Sequence, residues 1–325
     1  MSNRNLTFSQ ATLEAMREEM NRDEKVFIMG EDIARQGGIF GQFKGLADEF
    51  GKGRIIDTPI SETAIMGATL GAALAGMRPI ADMHFADFMG VCMDEIFNQI
   101  AKVRYMFGGQ ANVPLVVRAP DGLTIQGAAQ HSQSVEAWFT HMPGVIVVAP
   151  SNPKDAKGLL KAAIRNDNPV IFFENKILYK QHGYVPEGEY IIEIGKANVE
   201  QEGTDVTIVS YSIMMEQVRE AAKQLEKDGV SVEVIDLRTL SPLDMDTIIN
   251  SVKKTKRLVI AHEAVKTCGL GAEIAARVAE DAIEYLDAPI LRFGAPFTPV
   301  PFAPTLEKAY RTFPEDIVKG VKNIL

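Results

Sequence analysis

The chain has 325 residues, 46% of them hydrophobic and 24% charged, enough for two cores at roughly 150 residues per domain and too apolar for a disordered chain. Its 34 basic and 43 acidic residues leave a net charge of −9, which repels a phosphate backbone and argues against nucleic-acid binding. Cys92 and Cys268 are too few for a disulfide scaffold, no run of about 18 apolar residues is available to span a membrane, and MSNRNLTFSQ lacks the apolar stretch of a signal peptide, so a cytoplasmic protein is expected.

In chain order, short β-branched runs at 26–29, 54–57, 79–84, 114–118, 145–149 and 170–173 read as strands. Several are apolar at consecutive positions, as in strands buried on both faces of a parallel sheet. Helical patterns separate them at 9–20, 63–75, 89–106 and 153–165. Asn152 before Pro153 reads as a helix cap followed by a first-turn proline. A second block has strands at 206–211, 230–235, 258–261 and 289–293, with helices at 214–227, 244–253 and 272–285. The Gly- and Pro-containing stretch 180–203 reads as a connection with one short strand. Residues 295–304 (APFTPVPFAP) read as an extended surface path. The fold class is therefore α/β, with a larger domain over residues 1–185, a linker at 186–203 and a smaller domain at 204–325.

The familiar nucleotide and hydrolase motifs are absent: no GxxxxGK[ST], no HExxH and no GxSxG. Gly269-Leu270-Gly271 lacks the third glycine of a dinucleotide fingerprint, and its glycines read as room for a tight turn into the next helix. Three segments at strand ends carry polar groups, where open α/β sheets bind ligands. In DTPISE (residues 57–62), Glu62 is either a crevice carboxylate or a dipole partner in a helix capped by Ser61. The helix after it carries Gly67, Gly71 and Gly76, small enough for another backbone to approach. In DMHFADF (82–88), Phe88 is a pocket wall or plain core. In QHSQS (130–134), His131 is a proton donor or a locally satisfied histidine.

DTPISE, FADFMGVCMDEIFNQIAKVRYMFGG, AAQHSQS, PGVIVVAPSNPKDAKGLLKAAIRNDNPVIFFE and TPVPFAP resemble, in this order, the β subunit of the thiamine-diphosphate-dependent first component of 2-oxo acid dehydrogenase complexes. DFMGVCMDEIFNQ with YMFGG is most similar to the acetoin dehydrogenase members. The resemblance implies a pyrimidine-binding domain followed by a transketolase C-terminal-type domain. It implies that Glu62 bonds N1′ of the cofactor's aminopyrimidine, that the Ile60 carbonyl holds its amino group, and that Phe88 packs on its ring. His131 matches the histidine that assists acylation of the lipoyl group. His84 stands where branched-chain relatives carry Gln and is given no role beyond tuning. Leu115, Ala163, Ile164, Asn166 and Asn168 match carbonyls that hold potassium in relatives, with Asn166 replacing a frequent Asp.

The Gly-Asp-Gly motif that binds Mg²⁺ and the cofactor's diphosphate is missing. The resemblance therefore implies that an α subunit supplies that end in an α₂β₂ heterotetramer, and that this chain alone is inactive. The acidic charge suits docking of a basic domain of a dihydrolipoyl acyltransferase core onto the C-terminal domain. The expected reaction is cleavage of acetoin, or of pyruvate or a branched-chain 2-oxo acid, with acyl transfer to lipoamide. The competing readings are a non-catalytic scaffold subunit and a self-sufficient transketolase-like enzyme.

Overall fold

The structure is a computed structural model that describes residues 4–124 and 126–325. The chain forms two compact units. The first comprises the residues up to Asp121 with Trp138–Ile194, and the second comprises Gly122–Ala137 with Gly195–Leu325. The break between Ile194 and Gly195 falls inside the stretch read as a linker. The loop 122–137, placed in the first domain by sequence order, belongs to the second unit.

The first unit contains β1 (Asn5–Thr7), α1 (Phe8–Arg22), β2 (Val26–Gly30), α2 (Leu46–Phe50), β3 (Ile55–Asp57), α3 (Glu62–Leu74), β4 (Arg78–Asp82), α4 (Val103–Met106), β5 (Val116–Asp121), β6 (Ile146–Val148), α6 (Pro153–Arg165), β7 (Val170–Asn175) and β8 (His182–Tyr184), with α5 (Glu136–Thr140) at the junction of the two units. Its central strands run β6-β7-β5-β4-β2-β3, and every pair is parallel. All residues of β2 and β7 are buried, which explains their unbroken apolar runs. Helix α1 starts with a capping box between Thr7 and Gln10, and α6 starts with Asn152 accepting from the Asp155 amide, with Pro153 in its first turn, as the sequence indicates. Lys157 and Lys161 are buried along their stems. Their ammonium groups reach Glu14, Glu18 and Glu189 and join α6 to α1 and to the chain beyond β8.

Two readings need correction. The expected helix 89–106 is broken into a 3₁₀ turn (Ala86–Gly90), a π-helical segment (Glu95–Ile100) and α4. The hydrophobic pattern is real, with Met89, Cys92, Ile96 and Ile100 buried. The Ala101 amide, however, donates to the Ile96 carbonyl, five residues back, which is the wider spacing of a π turn. Ser61 precedes α3, but its side chain makes no capping hydrogen bond.

The second unit contains β9 (Asn198–Gln201), β10 (Val206–Ser210), α7 (Met214–Lys227), β11 (Val232–Asp236), β12 (Thr239–Ser241), α8 (Met245–Thr255), β13 (Leu258–Val265), α9 (Leu270–Ala282), β14 (Leu291–Ala295), α10 (Pro304–Tyr310) and α11 (Pro314–Lys322). Its sheet runs β14-β13-β10-β11-β9, with only β9 antiparallel to its neighbour. The core is aliphatic, including Val206, Ile208, Val218, Leu225, Val234, Val259 and Ile317.

His262 in β13 is fully buried. Its Nδ1 lies 3.1 Å from the Ala264 carbonyl, and Tyr211 stacks on its ring at 6.2 Å. A Cβ at Gly269 or Gly294 would fall 2.7 or 2.9 Å from its Cε1, and one at Gly271 would fall 3.0 Å from its Nε2. Gly269 has φ of −74°, open to any residue. The Gly-Leu-Gly segment is therefore explained by room for this imidazole and not by a tight turn.

Burial lowers the His262 pKa to about 4. Between about pH 6.5 and that value the unfolded chain binds a proton that the folded chain refuses, so stability is complete above about pH 6.5 and falls as pH drops toward 4, by up to about 3 kcal/mol. Urea unfolding at a series of pH values checks this: His262→Gln should flatten the slope in that window by about one proton, and an unchanged slope would contradict it.

Candidate active site

The first sheet places chemistry where its strand order reverses. The chain leaves β2 for β3 on one side, then crosses back to β4 on the other. The carboxyl ends of these strands flank the crevice where ligands enter such folds. Glu31 follows β2, Thr58 follows β3 and His84 follows β4. Glycine is required at the end of β2, because a Cβ at Gly30 would lie 2.8 Å from the Asp82 carbonyl oxygen.

Glu62 opens α3 and is half-buried, where the helix dipole favours a negative charge. The loop before it is fastened at both ends. The Thr58 amide donates to the Gly30 carbonyl at 2.9 Å, and the Asp57 carboxylate accepts from the Ala34 and Arg35 amides. Within that loop the Ile60 side chain is 83% exposed. The Thr58 hydroxyl oxygen is buried and has no hydrogen-bond partner among the described residues.

Phe88 lies on the 3₁₀ turn after β4, half-buried and edge-on to Phe85 at 5.9 Å. The Thr63 hydroxyl donates to the Val91 carbonyl at 3.3 Å and fastens the first turn of α3 to the segment that carries Phe88. Glu62, Ile60 and Phe88 therefore come together at one edge of the first unit.

Sequence reasoning missed Glu31. It is buried, and His84 Nδ1 lies 3.0 Å from its Oε2. Burial holds the Glu31 carboxyl above its usual value, the His84 charge opposes that, and the negative charge of Glu62 adds to it. Glu31 thus feels groups that follow two other strands. The strand-end rule that flags Glu62 applies equally to Gly30-Glu31 and was the available signal.

Under this edge lies a charged cluster with almost no solvent contact. Arg118 of β5 donates from Nε and Nη2 to both oxygens of Glu174 of β7, at 2.7 and 2.6 Å, and from Nη1 to Asp82 at 3.4 Å. Its guanidinium also sits over the Phe43 ring at 4.7 Å. Burial raises the Asp82 pKa to about 8 against the pull of Arg118. Cys92 is pushed up to about 12, mainly by burial, so its thiol is inert at neutral pH.

His131 lies in the second unit, half-buried on the loop 122–137. The Gly122 amide donates to the Gln133 carbonyl at 3.0 Å and closes the loop's base. Two residues that sequence reasoning passed over, Glu263 and Glu307, hold this loop from elements far along the chain.

Four of the five carbonyls expected to hold potassium accept hydrogen bonds within the protein. Arg78 Nη1 donates to Ile164 O at 3.0 Å and to Asn166 O at 3.2 Å. Leu115 O accepts from the Val170 amide, and Ala163 O accepts from the Asn166 amide. The Asn168 amide donates to the Asn166 side chain. Arg78 is paired at this turn with Asp167 and Asp23, and no ion enters the chemistry below.

Residues 4–181 match the family described as transketolase, pyrimidine binding domain, and residues 195–317 match the transketolase C-terminal domain. The chain is 51% identical over 317 residues to the β subunit of acetoin:2,6-dichlorophenolindophenol oxidoreductase of Cupriavidus necator, covering 94% of each. It is 46% identical over 312 residues to the 2-oxoisovalerate dehydrogenase β subunit of Bacillus subtilis, covering 95% of each, and 47% identical over 319 residues to the pyruvate dehydrogenase E1 β subunit of Rickettsia felis, covering 98% of each. Among solved structures it is similar to a split-gene transketolase in an inactive β4 tetramer, with a TM-score of 0.81 at 25% identity and 98% of both chains covered.

Fold and family matches thus define a transketolase-type protein. The chain belongs to the family of dehydrogenase β subunits that serve acetoin and 2-oxo acids. Among the described residues, no helix is long and apolar enough to cross a membrane.

Arg118→Met keeps most of the side-chain volume but leaves Glu174 and Asp82 without their buried cation. It should cost about 3–5 kcal/mol, read as a lowered midpoint of thermal unfolding; an unaltered midpoint would show that the cluster does not support the crevice.

Proposed function

We propose that this chain is the β subunit of a thiamine-diphosphate-dependent acetoin dehydrogenase component, active only with an α subunit, that passes the acyl product to lipoamide. The observation that carries the reading is Glu62: a half-buried carboxylate at a helix start, at the strand-order reversal, tied through Thr63 to the segment bearing Phe88. The donor set fits one end of the cofactor. A carboxylate, a loop carbonyl and an aromatic face match an aminopyrimidine, and the orphaned Thr58 hydroxyl marks polar capacity left open beside them. When bound, thiamine diphosphate supplies the carbon nucleophile that cleaves a bond next to a carbonyl carbon.

The chain's own groups then act in sequence. Glu62 holds a proton at the pyrimidine N1′ and so sets the basicity of the amino nitrogen opposite. The Ile60 carbonyl accepts from that amino group and fixes its direction. Phe88 covers a ring face and keeps water away. His131 gives a proton to the sulfur that departs as the lipoyl disulfide opens, so that a thiol and not a thiolate leaves.

Dependence on an α subunit follows from what the chain lacks, since no Gly-Asp-Gly segment is present to hold Mg²⁺ and a diphosphate. The solved split-gene transketolase that it resembles is an inactive β4 tetramer. The partner has a surface to meet. Gly67 and Gly71 of α3 are exposed, and a Cβ at either would touch nothing within 4 Å. Near the end of that helix a pocket of about 670 Å³ is lined by Leu74, Met106 and Phe107, all large apolar side chains exposed to solvent. Exposed apolar groups gathered in this way mark protein contacts. The acyltransferase core is the expected second partner, drawn to the acidic chain by a basic docking domain. Pyruvate and branched-chain 2-oxo acids are the second reading, favoured by relatives at 46–47% identity over nearly the full length.

Glu62→Gln keeps the size and loses the charge. Reconstituted with its α subunit, it should assemble normally and lose at least about 100-fold in turnover, the scale of a lost acid–base group; undiminished turnover on acetoin, pyruvate and 2-oxoisovalerate alike would end the proposal. The unmutated pair tested on the same three substrates identifies the preferred one, and turnover by this chain alone would show it to be self-sufficient.

His131→Ala should leave dye-coupled cleavage within about twofold and lower acylation of lipoyl domain by about 100-fold. Equal losses in the two half-reactions would remove the assignment.

A further inference from the structure

The loop that bears His131 is built by the C-terminal unit, although its sequence lies inside the span of the first. It is a strained loop. Gln126 and Ala128 both have left-handed backbones, with φ of 58° and 57°, which non-glycine residues rarely adopt because their Cβ crowds the following carbonyl. Between them Gly127 has no room for a side chain, since a Cβ would fall 2.3 Å from Thr124 Cγ2 and 2.5 Å from Ser132 Oγ. Such a conformation persists only when its surroundings over-determine it.

The restraint comes from two carboxylates. Glu263 Oε2 accepts from the Leu123 amide at 3.2 Å and from the Ser134 hydroxyl at 3.1 Å. These two donors lie on either side of His131, so one oxygen ties both arms of the loop. Glu307 Oε1 accepts from the Gln126 amide at 2.7 Å, at the strained position itself. Hydrogen bonds to ionised acceptors are about twice as strong as neutral ones.

Glu263 is itself held. It follows His262 in β13, and successive strand residues point to opposite faces. His262 is locked between Tyr211 and the backbones of Gly269, Gly271 and Gly294, so the strand cannot roll and Glu263 keeps its direction. The β13–β14 pairing shifts register between Ala261 and Val265, and bulges of this kind re-aim side chains near functional sites.

We propose that Glu263 is a positioning residue for His131: it fixes the loop so that the imidazole is presented to the lipoyl sulfur, and it takes no part in carbon–carbon cleavage. This rests on the role given to His131 above, and the experiment separates the two. Glu263→Ala, Glu263→Gln, Ser134→Ala, His131→Ala and the Glu263→Ala/His131→Ala pair are each reconstituted with the α subunit. Dye-coupled cleavage and acylation of free lipoyl domain are then measured separately. Glu263→Ala should lower lipoyl acylation at least tenfold and leave cleavage within twofold. Glu263→Gln retains an acceptor oxygen and should recover acylation to within about threefold of the parent. Ser134→Ala, which removes one of the two donors, should fall between them and covers the case in which Glu263→Ala fails to fold. In the His131→Ala background, Glu263→Ala should produce no further loss, because a residue that acts only through another has no effect once that other is gone. Unimpaired acylation in His131→Ala would overturn the role of His131. Impaired acylation in His131→Ala with normal acylation in Glu263→Ala, equal loss of both half-reactions in Glu263→Ala, or multiplying losses in the pair would overturn the positioning role of Glu263.

Discussion

Arg118 is the largest fully buried side chain in the protein, and the edge that carries Glu62 is built over the carboxylates it organises. A buried guanidinium is tolerated only when its charge is met and its donors are used. Here Glu174 meets it through two parallel hydrogen bonds and Asp82 through a longer third. Because these residues sit on β5, β7 and β4, the ion cluster also fixes how three strand ends lie side by side. Hydrophobic residues of equal volume could fill that space and hold the strands with comparable stability. They could not supply the hydrogen bonds that Glu174 and Asp82 receive from the guanidinium.

Burial and neighbouring charges act differently on the carboxyl groups of this region. Asp82, fully buried and only distantly bonded to Arg118, is raised to about 8, while Glu174 accepts from the guanidinium with both oxygens. Glu31 is held above its usual value by burial and by Glu62, and is pulled back by His84. Glu62 has a partly open position at a helix start, where a negative charge is favoured.

Much of this was legible in the chain because it is local. Runs such as VFIMG and VIFFEN state that a strand is buried on both faces, and Asn152-Pro153 states where a helix begins. Glu62, Phe88 and His131 were singled out because parallel sheets place ligands at strand ends, and each follows a strand. What could not be read depends on distant contacts. Nothing near residue 122 says that the next sixteen residues pack with a unit that starts at Gly195. Nothing around Glu263 or Glu307 marks them as acceptors for amides more than a hundred positions earlier. The helix 89–106 failed for a related reason. Its apolar spacing is helical, but the turn at Ala101 also has to leave space for Gly144, where a Cβ would collide with the Ala101 carbonyl.

The glycines near the end of the chain show how a correct sequence observation can carry the wrong cause. Gly269 and Gly271 were read as conformational freedom, yet the backbone at Gly269 is ordinary. The constraint is the volume of an imidazole from the preceding strand. A histidine shut away in this manner stays neutral, keeps one hydrogen bond to the Ala264 carbonyl, and contributes shape. In exchange it pins the strand on which the next residue, Glu263, faces the opposite way toward the His131 loop. Two adjacent residues thus divide the work by the alternation of a β-strand, with the buried one holding the frame and the half-buried one acting on the loop.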